Sequence, residues 1–499
     1  MASFFVKRGS RLVAREPAMI SFIQRLEDLA KEAPDAIAIT CGDDSITRQK
    51  LLQDGYNLAV YLAEHGTREG DMVTVAVPNS IDFFIAYVAA WRLGATPQPI
   101  SSRLPQRELE AILDLANPSA IVGVEEKTYA NRTCIPFGFR APQRDASHLP
   151  YVISASWKAP TSGGSTGRPK LIVSGDPASL NPDAPVPLMM DPGGCLVMPG
   201  PLYHNGPAVW SCQALLHGLQ VALLPRFDAA QTLVEIERHR GTVLYMVPTM
   251  MKRILRLPDN ERLSRDLSSL RVVWHLAEPC PEWLKQEWID WLGAEKIFEL
   301  YAGTEAQTAT IISGPEWLAH RGSVGKVVPG TVLITDEDGT EVPVGEMGEV
   351  WMRSLRETPT YRYLGASART RDGGWESLGD MGRLDEDGYL YLGDRAADMI
   401  LSGGANIYPA EIESAIQEHP IVKSCAVIGL PDEDKGNVVH AIIEADIHEV
   451  SADDLKAFLG ERLVTYKIPR SFEFVDFPLR DDAGKVRRSA LRAERVVEN

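Results

Sequence analysis

The most informative ten residues of this chain are Thr161-Ser162-Gly163-Gly164-Ser165-Thr166-Gly167-Arg168-Pro169-Lys170. The glycines let backbone amides approach an anion closely, the hydroxyl side chains add hydrogen-bond donors, and Arg168 and Lys170 add positive charge. The run is not a Walker A loop, because no Gly-Lys-Ser or Gly-Lys-Thr closes it. A flexible turn is the alternative, since most Gly/Ser runs form one. The ordered Thr/Ser/Gly series that ends in Pro-Lys favours a loop that binds a polyphosphate.

Short β-rich runs alternate with helical patterns on both sides of this loop. The β-rich runs cover residues 72–77, 120–123, 219–225, 242–247 and 271–276, and the helical patterns cover 81–92, 109–113 and 233–236. Such alternation is typical of βαβ units on a largely parallel sheet. It predicts an α/β fold with mostly parallel sheets for the large N-terminal part of the chain.

Beyond residue 330 the pattern changes to hairpins with tight turns at Asp338-Gly339 and Asp387-Gly388, where glycine supplies the positive φ. This change predicts a β-rich subdomain. We place the domain boundary within 394–397, so that residues 1–394 form a large N-terminal domain and 395–499 a small C-terminal one.

The last hundred residues predict a small α/β domain. A helix begins at Pro409, and a strand pair follows at 425–430 and 438–443. Ser451 and Asp454 resemble a capping box for a second helix. The apolar residues assigned to that helix are Leu455, Phe458, Leu459 and Leu463.

Composition excludes several classes of partner. The chain has 499 residues and a formal net charge of −17, so it is long enough for two or three domains and would repel nucleic acid and anionic lipids. Its longest strongly apolar stretch, 83–91, is shorter than the roughly 20 residues that span a bilayer. Residues 1–15 lack the apolar region of a secretory signal. Six cysteines without CxxC spacing predict free thiols, and the expected location is the cytoplasm.

Five further motifs follow the loop in order. They are Tyr301-Ala302-Gly303-Thr304-Glu305, Leu378-Gly379-Asp380, Gly393-Asp394-Arg395, Ser402-Gly403-Gly404-Ala405-Asn406-Ile407-Tyr408-Pro409 and Gly484-Lys485-Val486-Arg487-Arg488. Together with the loop, they resemble the adenylate-forming superfamily of acyl-CoA synthetases, peptide-synthetase adenylation domains and luciferases, over nearly the whole chain. The resemblance implies a ligase that activates a carboxylic acid with ATP and Mg²⁺ and passes the acyl group to CoA.

The resemblance also gives roles to individual residues. Tyr301 would stack on adenine, Thr304 would bond the α-phosphate, Glu305 would bind Mg²⁺, and Asp380 with Arg395 would bond the ribose. The nucleotide-binding and CoA-binding residues that it implies are Thr161, Ser162, Gly163, Gly164, Ser165, Thr166, Gly167, Lys170, Tyr301, Gly303, Asp380, Arg395, Gly403 and Gly404. The last two would border the tunnel for the second substrate.

Lys485 matches the catalytic lysine of the superfamily. A carboxylate that attacks a phosphate brings two anions together, so a bridging cation lowers the barrier. His204, in Tyr203-His204-Asn205-Gly206, is expected to border the acyl carboxylate. The predicted catalytic set is Lys485, His204, Thr304 and Glu305. In this superfamily the small domain rotates between the half-reactions and withdraws that lysine.

Two residues depart from the superfamily pattern. Ala397 stands at the hinge, where Asp or Lys is usual, and Glu278 stands beside the adenine site, where a small residue is expected. Residues 273–281, with Trp283 and Trp291 nearby, resemble the subgroup that activates bile acids and steroid side-chain acids.

Several functions remain as alternatives. An amide synthetase, in which an amine captures the acyl-adenylate, gains weight from Ala397 and Glu278. Retention of Glu305, Asp380, Arg395 and Lys485 argues against a non-catalytic relative. No carrier segment is visible after Lys485 to suggest a domain that loads a carrier protein. The sequence leaves open whether the chain forms a homodimer.

Overall fold

The computed structural model describes residues 19–129, 132–163, 169–395, 398–402, 405–432, 435–446, 448–481 and 484–496. The helices are α1 (Phe22–Glu32), α2 (Arg48–Glu64), α3 (Ile81–Arg92), α4 (Gln106–Ala116), α5 (Asn205–Leu216), α6 (Ala229–Arg238), α7 (Pro248–Leu255), α8 (Asp259–Arg262), α9 (Glu282–Leu292), α10 (Gly314–Ala319), α11 (Pro409–Gln417), α12 (Ala452–Gly460) and α13 (Arg488–Arg495). Short 3₁₀ turns lie at Pro187–Met189, Ala294–Lys296 and Thr465–Lys467.

The strands of the first half of the chain are short. They are β1 (Ile20–Ser21), β2 (Ile37–Cys41), β3 (Asp44–Thr47), β4 (Met72–Val75), β5 (Thr96–Pro99), β6 (Ala120–Val122), β7 (Thr133–Ile135), β8 (Thr161–Gly163), β9 (Pro169–Ser174), β10 (Ser179–Leu180), β11 (Cys195–Met198), β12 (Gln220–Leu223), β13 (Val243–Met246) and β14 (Val272–Leu276).

The strands of the second half include longer ones. They are β15 (Ile297–Ala302), β16 (Ala309–Ser313), β17 (Lys326–Val327), β18 (Thr331–Thr335), β19 (Gly348–Arg353), β20 (Tyr361–Leu364), β21 (Arg369–Arg371), β22 (Trp375–Leu384), β23 (Leu390–Arg395), β24 (Ile400–Ser402), β25 (Ala405–Ile407), β26 (Ser424–Asp432), β27 (Gly436–Glu444) and β28 (Ser471–Val475).

The large domain is organised around a nine-stranded sheet of order β17-β16-β15-β14-β13-β11-β12-β2-β3. Its central pairings, from β15 to β2, are parallel, and the edges are antiparallel. The parallel strands β11, β13 and β14 are buried along their whole length, as expected for strands covered on both faces. Their carboxyl ends therefore point to one edge of the sheet, where α/β proteins place their ligands.

A second, four-stranded parallel sheet of order β5-β4-β6-β7 lies beside it. Helix α3 packs against strands of both sheets, which explains why it is apolar on every side and almost wholly buried. Gly55 on α2 allows the close approach of α3, because a Cβ there would overlap the side chain of Val88.

The β-rich subdomain follows, as predicted. Strands β18, β19, β22, β21 and β23 form one antiparallel sheet, and β20, β9 and β8 form a small one that carries the start of the phosphate loop. The turn Asp387-Gly388 joins β22 to β23, and the turn at Gly339 follows β18.

The small domain has its own apolar core. Strands β26, β27 and β28 form its sheet, and α11, α12 and α13 pack on it. The capping box is confirmed, because Ser451 Oγ accepts from the Asp454 amide and the Asp454 carboxylate accepts from the Ser451 amide. The prediction that Leu463 lies on this helix was wrong: α12 ends at Gly460, and Leu463 packs on the core from the following turn.

The α/β fold with one large and one small domain is confirmed. Strand and helix positions agree with the sequence predictions to within a few residues at their ends. All six cysteines are free thiols, as expected. Within the described ranges, no helix combines the length and the apolarity needed to cross a bilayer.

Candidate active site

A cleft of about 3080 Å³ runs between the two domains. The loops that follow the carboxyl ends of β11, β13, β14 and β15 form one wall, and the phosphate-loop strands form another. Residues 480–481 and 484–488 of the small domain close the cleft. Most of the predicted site residues that the structure describes line this cleft. The sheet edge thus brings together motifs that are far apart in sequence.

The phosphate loop begins on β8. Thr161 Oγ1 accepts a hydrogen bond of 2.9 Å from Gln98 Nε2, and the fully buried Gln98 in turn accepts one of 2.6 Å from Thr74 Oγ1. Ser162 and Gly163 continue β8 in backbone pairing with β9. The predicted residues Gly164, Ser165, Thr166 and Gly167 lie outside the described residues, as does Arg168.

Glu305 lies at the centre of the phosphate end of the cleft. Its side chain is buried, and its Oε1 accepts a hydrogen bond of 2.5 Å from the Tyr363 hydroxyl and lies 3.4 Å from Lys170 Nζ. The Lys170 ammonium also lies 4.0 Å from the centre of the Tyr363 ring. Glu305 Oε2 faces Gly303 instead, since a Cβ on that glycine would lie 3.0 Å from it. The predicted magnesium ligand is therefore a buried carboxylate that Tyr363 and Lys170 hold in place.

Strained backbone marks both sides of the nucleotide end. Ala306, next to Glu305, has φ of 54°, and Ala277, at the end of β14, has φ of 74°. Alanine rarely adopts such left-handed conformations, which cost about 1–2 kcal/mol. Both residues line the cleft, as does Thr304, the predicted α-phosphate contact.

The predicted adenine and ribose residues contact each other. The Tyr301 hydroxyl donates to Asp380 Oδ2 over 2.7 Å, which joins β15 to β22. Asp380 is also the backbone partner of Arg395 in the pairing of β22 with β23. The three residues therefore meet at one place, although they belong to motifs that are widely separated in sequence.

The small domain presents the predicted catalytic lysine on a tight turn. Gly484 donates its amide to the Asp481 carbonyl and has φ of 80°, and the Lys485 amide donates to Asp481 Oδ1 over 2.9 Å. Arg480 holds the turn from inside, because its guanidinium donates to the Gly484 carbonyl and to Glu413 Oε2. Arg488 binds the other oxygen of Glu413 at 2.8 Å. The lysine segment, which is the stretch that carries Lys485 between Arg480 and Arg488, is thus bonded at both ends to Glu413 on α11.

His204 lies close to this lysine at the N-terminus of α5. Burial and the nearby Lys485 ammonium lower the pKa of His204 to about 4, so its imidazole is neutral at neutral pH. Its Nε2 is shielded from solvent and makes no hydrogen bond with the described part of the chain. The structure therefore brings together the two residues that the sequence predicts to flank the acyl carboxylate.

Glu278 directly contacts the turn that Asp481 and Gly484 form before Lys485, which we call the lysine turn. A Cβ on Gly484 would overlap the Glu278 carboxylate, so only glycine allows this approach. Glu278 Oε2 accepts from Thr249 Oγ1 over 2.8 Å, whereas Oε1 is buried without a hydrogen-bond partner among the residues described. Burial raises the pKa of Glu278 to about 7, against the opposing effect of Arg480. Glu278, which departs from the superfamily pattern, thus packs against the turn that precedes Lys485.

Sequence reasoning missed several residues of the site. Tyr363, Arg480 and Glu413 stand outside the motifs that carry the resemblance, and only the fold brings them to Glu305 and Lys485. Conversely, Gly403 and Gly404 of the predicted tunnel, and Ala397 of the hinge, lie outside the described residues. The side chain of Arg395 also lies outside the description.

Comparison with known proteins identifies the family. The AMP-binding enzyme family matches residues 26–156 and 159–361, and the AMP-binding enzyme C-terminal domain matches 411–485. The chain belongs to the AMP-binding enzyme family. A feruloyl-CoA synthase from Amycolatopsis sp is 31% identical over 480 residues, which cover 93% of this AMP-binding enzyme and 96% of the relative.

Solved structures agree with this assignment. The o-succinylbenzoate CoA synthetase of Bacillus subtilis in complex with an acyl-adenylate intermediate superposes with a TM-score of 0.80 at 25% identity, over 95% of this chain and 98% of that one. The amide bond synthetase McbA of Marinactinospora thermotolerans superposes with a TM-score of 0.78 at 26% identity, over 95% and 99%. This AMP-binding enzyme is therefore an AMP-forming acid–thiol ligase of the acyl-CoA ligase type, which uses ATP, Mg²⁺ and CoA.

Proposed function

We propose that this AMP-binding enzyme joins a bulky hydrophobic or aromatic acid to CoA through an acyl-adenylate, with residues 1–394 binding acid and ATP and residues 395–499 carrying the catalytic lysine. The supporting observation is the position of Lys485, which the small domain holds beside His204 at the cleft that contains Glu305 and Asp380. We propose that the reaction takes place in the cytoplasm, where free thiols such as those of this chain remain reduced.

In the first half-reaction, a carboxylate oxygen of the acid bonds to the α-phosphorus of ATP, and pyrophosphate leaves. Lys485 compensates the charge of the two anions as they meet. Neutral His204 borders the carboxylate without adding charge, and Thr304 donates to an α-phosphate oxygen. Glu305 would hold the Mg²⁺ that accompanies ATP, and the chemistry supplied there would be neutralisation of phosphate charge.

In the second half-reaction, the thiolate of CoA bonds to the acyl carbon, and AMP leaves with the bonding electron pair. Lys485 withdraws first, because the small domain rotates between the half-reactions in the superfamily that this chain resembles. Gly403 and Gly404 then border the pantetheine arm, which glycine allows to pass close to the backbone.

The walls of the cleft support the proposed substrate class. Val209, Trp210 and Tyr245 line it beside His204, and aromatic side chains of this kind favour large apolar ligands. The similarity to a feruloyl-CoA synthase supports an aromatic acid. The resemblance of residues 273–281 to the subgroup for bile acids and steroid acids supports a bulky, polycyclic one.

The test of this function separates the half-reactions. Pyrophosphate release should require an organic acid, ATP and Mg²⁺, and Lys485→Ala should lower its rate by about 100- to 1000-fold, the usual loss when one charge-stabilising group is removed. ATP binding should change little. Formation of thioester from synthetic acyl-adenylate should persist in the variant. Full adenylation activity in Lys485→Ala would disprove the catalytic assignment.

An amide synthetase is the second candidate, and the similarity to McbA favours it. In that case an amine nitrogen attacks the acyl carbon, loses a proton and releases AMP. Mass spectrometry of products formed with CoA, or with a panel of amines, distinguishes the two functions. We expect a thioester with aryl or polycyclic acids. An amide that accumulates where no thioester forms would replace the first candidate.

A further inference from the structure

A buried cation, Lys158, lines the cleft, and no predicted role accounts for it. Lys158 lies just before β8 with only 7% of its surface exposed, and its Nζ hydrogen-bonds to Asn205 Oδ1 at the start of α5. The ammonium also lies 4.8 Å from the centre of the Trp157 ring. Both Lys158 and Asn205 line the cleft.

This ammonium has no counter-ion within the described ranges. The nearest acidic groups that act on it are Asp176 and Glu305, and each has its own cation. Asp176 pairs with Arg356 at 2.6 Å, and Glu305 with Lys170 at 3.4 Å. A buried charge whose only hydrogen-bond partner is a neutral amide is costly, unless a ligand supplies the opposite charge.

Lys158 and Lys485 act on different residues of α5. Lys485 acts on His204, just before the helix, whereas Lys158 bonds Asn205 and acts on Cys212. Asn205 and Cys212 are about two turns apart and therefore lie on one face of the helix. The Lys158 ammonium thus lies against the face of α5 that carries Asn205 and Cys212, and Val209 and Trp210 of the same helix also line the cleft.

We propose that Lys158 and Asn205 form a subsite for a second carboxylate on the acid substrate. The inference rests on the proposed function, because it assumes that an acid occupies this cleft. One carboxylate meets Lys485 and ATP, and the second accepts hydrogen bonds from Lys158 Nζ and from the Asn205 amide group, whose Nδ2 has no other partner in the described part of the chain. The substrate would be a dicarboxylic acid with a bulky apolar body.

Burial lowers the pKa of Lys158 to about 8, so the ammonium is still largely protonated at pH 7. The titratable groups that face it are the carboxylates of Asp176 and Glu305 and the neutral Cys212 thiol, whose pKa burial raises to about 12. Affinity for a second carboxylate should therefore fall as pH rises above about 8, because the lysine loses its charge.

Calorimetric titration of the full chain with matched acids tests the subsite without any turnover. Each aryl or polycyclic diacid is compared with its analogue in which the second carboxylate is a methyl ester. We expect the diacid to bind about 100-fold more tightly, and Lys158→Met to remove this preference while leaving affinity for the ester within about threefold, because truncating a buried charge pair typically costs 2–5 kcal/mol. Lys252→Met, which removes a buried lysine that does not line the cleft, should retain the preference.

The outcomes distinguish this inference from the proposed function. Equal affinity for diacid and ester in the unmodified chain, or equal loss for both in Lys158→Met, would overturn the subsite. A diacid preference that disappears only in Lys158→Met supports it, even if pyrophosphate release is absent. Pyrophosphate release without diacid preference would leave the ligase function intact and refute the subsite alone.

Discussion

The core of the large domain and the interface between the domains bury charge in opposite ways. In the core, Lys285 is fully buried and pairs with Glu299 at 2.6 Å. At the interface, the buried Lys252 on α7 faces the small domain, and its ammonium makes no hydrogen bond within the ranges that the structure describes. Glu278 likewise has one unpartnered oxygen against the lysine turn.

This difference indicates which contacts are permanent. A paired buried charge is stable only while both partners stay in place, so Lys285 and Glu299 fix α9 to β15. Unpaired charges at an interface penalise the closed arrangement and are relieved when water reaches them. The contacts across the interface are thus weak enough to open, which agrees with the proposed movement of the small domain between two half-reactions.

The largest effect on this comparison should come from breaking the core pair. Glu299→Ala leaves the Lys285 ammonium buried without its partner, and we expect a loss of about 3–5 kcal/mol in the free energy of unfolding, measured by urea denaturation. Glu282→Ala changes an exposed residue on α9, the helix that carries Lys285, and should change the free energy of unfolding by no more than about 0.5 kcal/mol. A loss under about 1 kcal/mol in Glu299→Ala would mean that the core is no more dependent on paired charge than the interface.

A smaller effect should follow from filling the space at the lysine turn. Gly484→Ala adds both left-handed strain and overlap with Glu278, together about 3 kcal/mol, so adenylation should slow about 100-fold in pyrophosphate-release assays.

Gly436→Ala is the matched control for Gly484→Ala. It has φ of 76° and open space around its Cβ position, so it reports the strain alone. The double variant Glu278→Ala with Gly484→Ala should recover the part of the rate that is lost to overlap. Equal losses in the two glycine variants, with no recovery in the double variant, would contradict direct contact between the domains.

The pH dependence of closure should be smaller still. The pKa of Glu278 is raised to about 7, so closing takes up a proton between pH 4.5 and 7, and the closed arrangement loses stability as pH rises through that window. Arg480, Asp481 and Thr249 face this carboxylate. Small-angle scattering of Glu278→Gln should show no change in domain closure between pH 5 and 7. A persistent change would assign the dependence to other groups.

Lys252 should make the stability of the closed arrangement depend on pH in the opposite direction, and at higher pH. Burial lowers its pKa to about 7, so closing releases a proton and the closed arrangement gains stability from pH 7 toward 10.5. Arg256, Arg480, Glu444 and Cys425 face it. Lys252→Met should remove this slope and change the free energy of unfolding by no more than about 1 kcal/mol. A loss of 3 kcal/mol or more would show that Lys252 has a partner as essential as that of Lys285.

Much of the fold could be predicted because local patterns agree with it. The apolar run at 81–92 becomes α3 with those bounds, and Ser451 caps α12 as its spacing indicates. The end of α12 was missed, because Leu463 keeps the apolar spacing past Gly460 although the helix stops there.

Some residues of the site could be predicted from the sequence, and others could not. The motifs predict Tyr301, Glu305 and Lys485 through resemblance, and the structure brings their regions to one cleft. Nothing local in the sequence distinguishes the buried Lys158 from a solvated lysine. Nor does the sequence indicate that Arg480 meets Glu413, since 67 residues separate them and only tertiary folding joins them.

The clamp on Glu413 has a practical consequence. Because Arg480 and Arg488 tie both ends of the lysine segment to α11, the ammonium cannot flip away alone and must travel with the whole small domain. A compound that binds between α7 and the small domain and prevents its movement would therefore stop the reaction after the first half-reaction, with the acyl-adenylate still bound in the cleft. Screening for such compounds should target the interface between the domains. Contacts with Glu278 would give selectivity over relatives that have a different residue at this position.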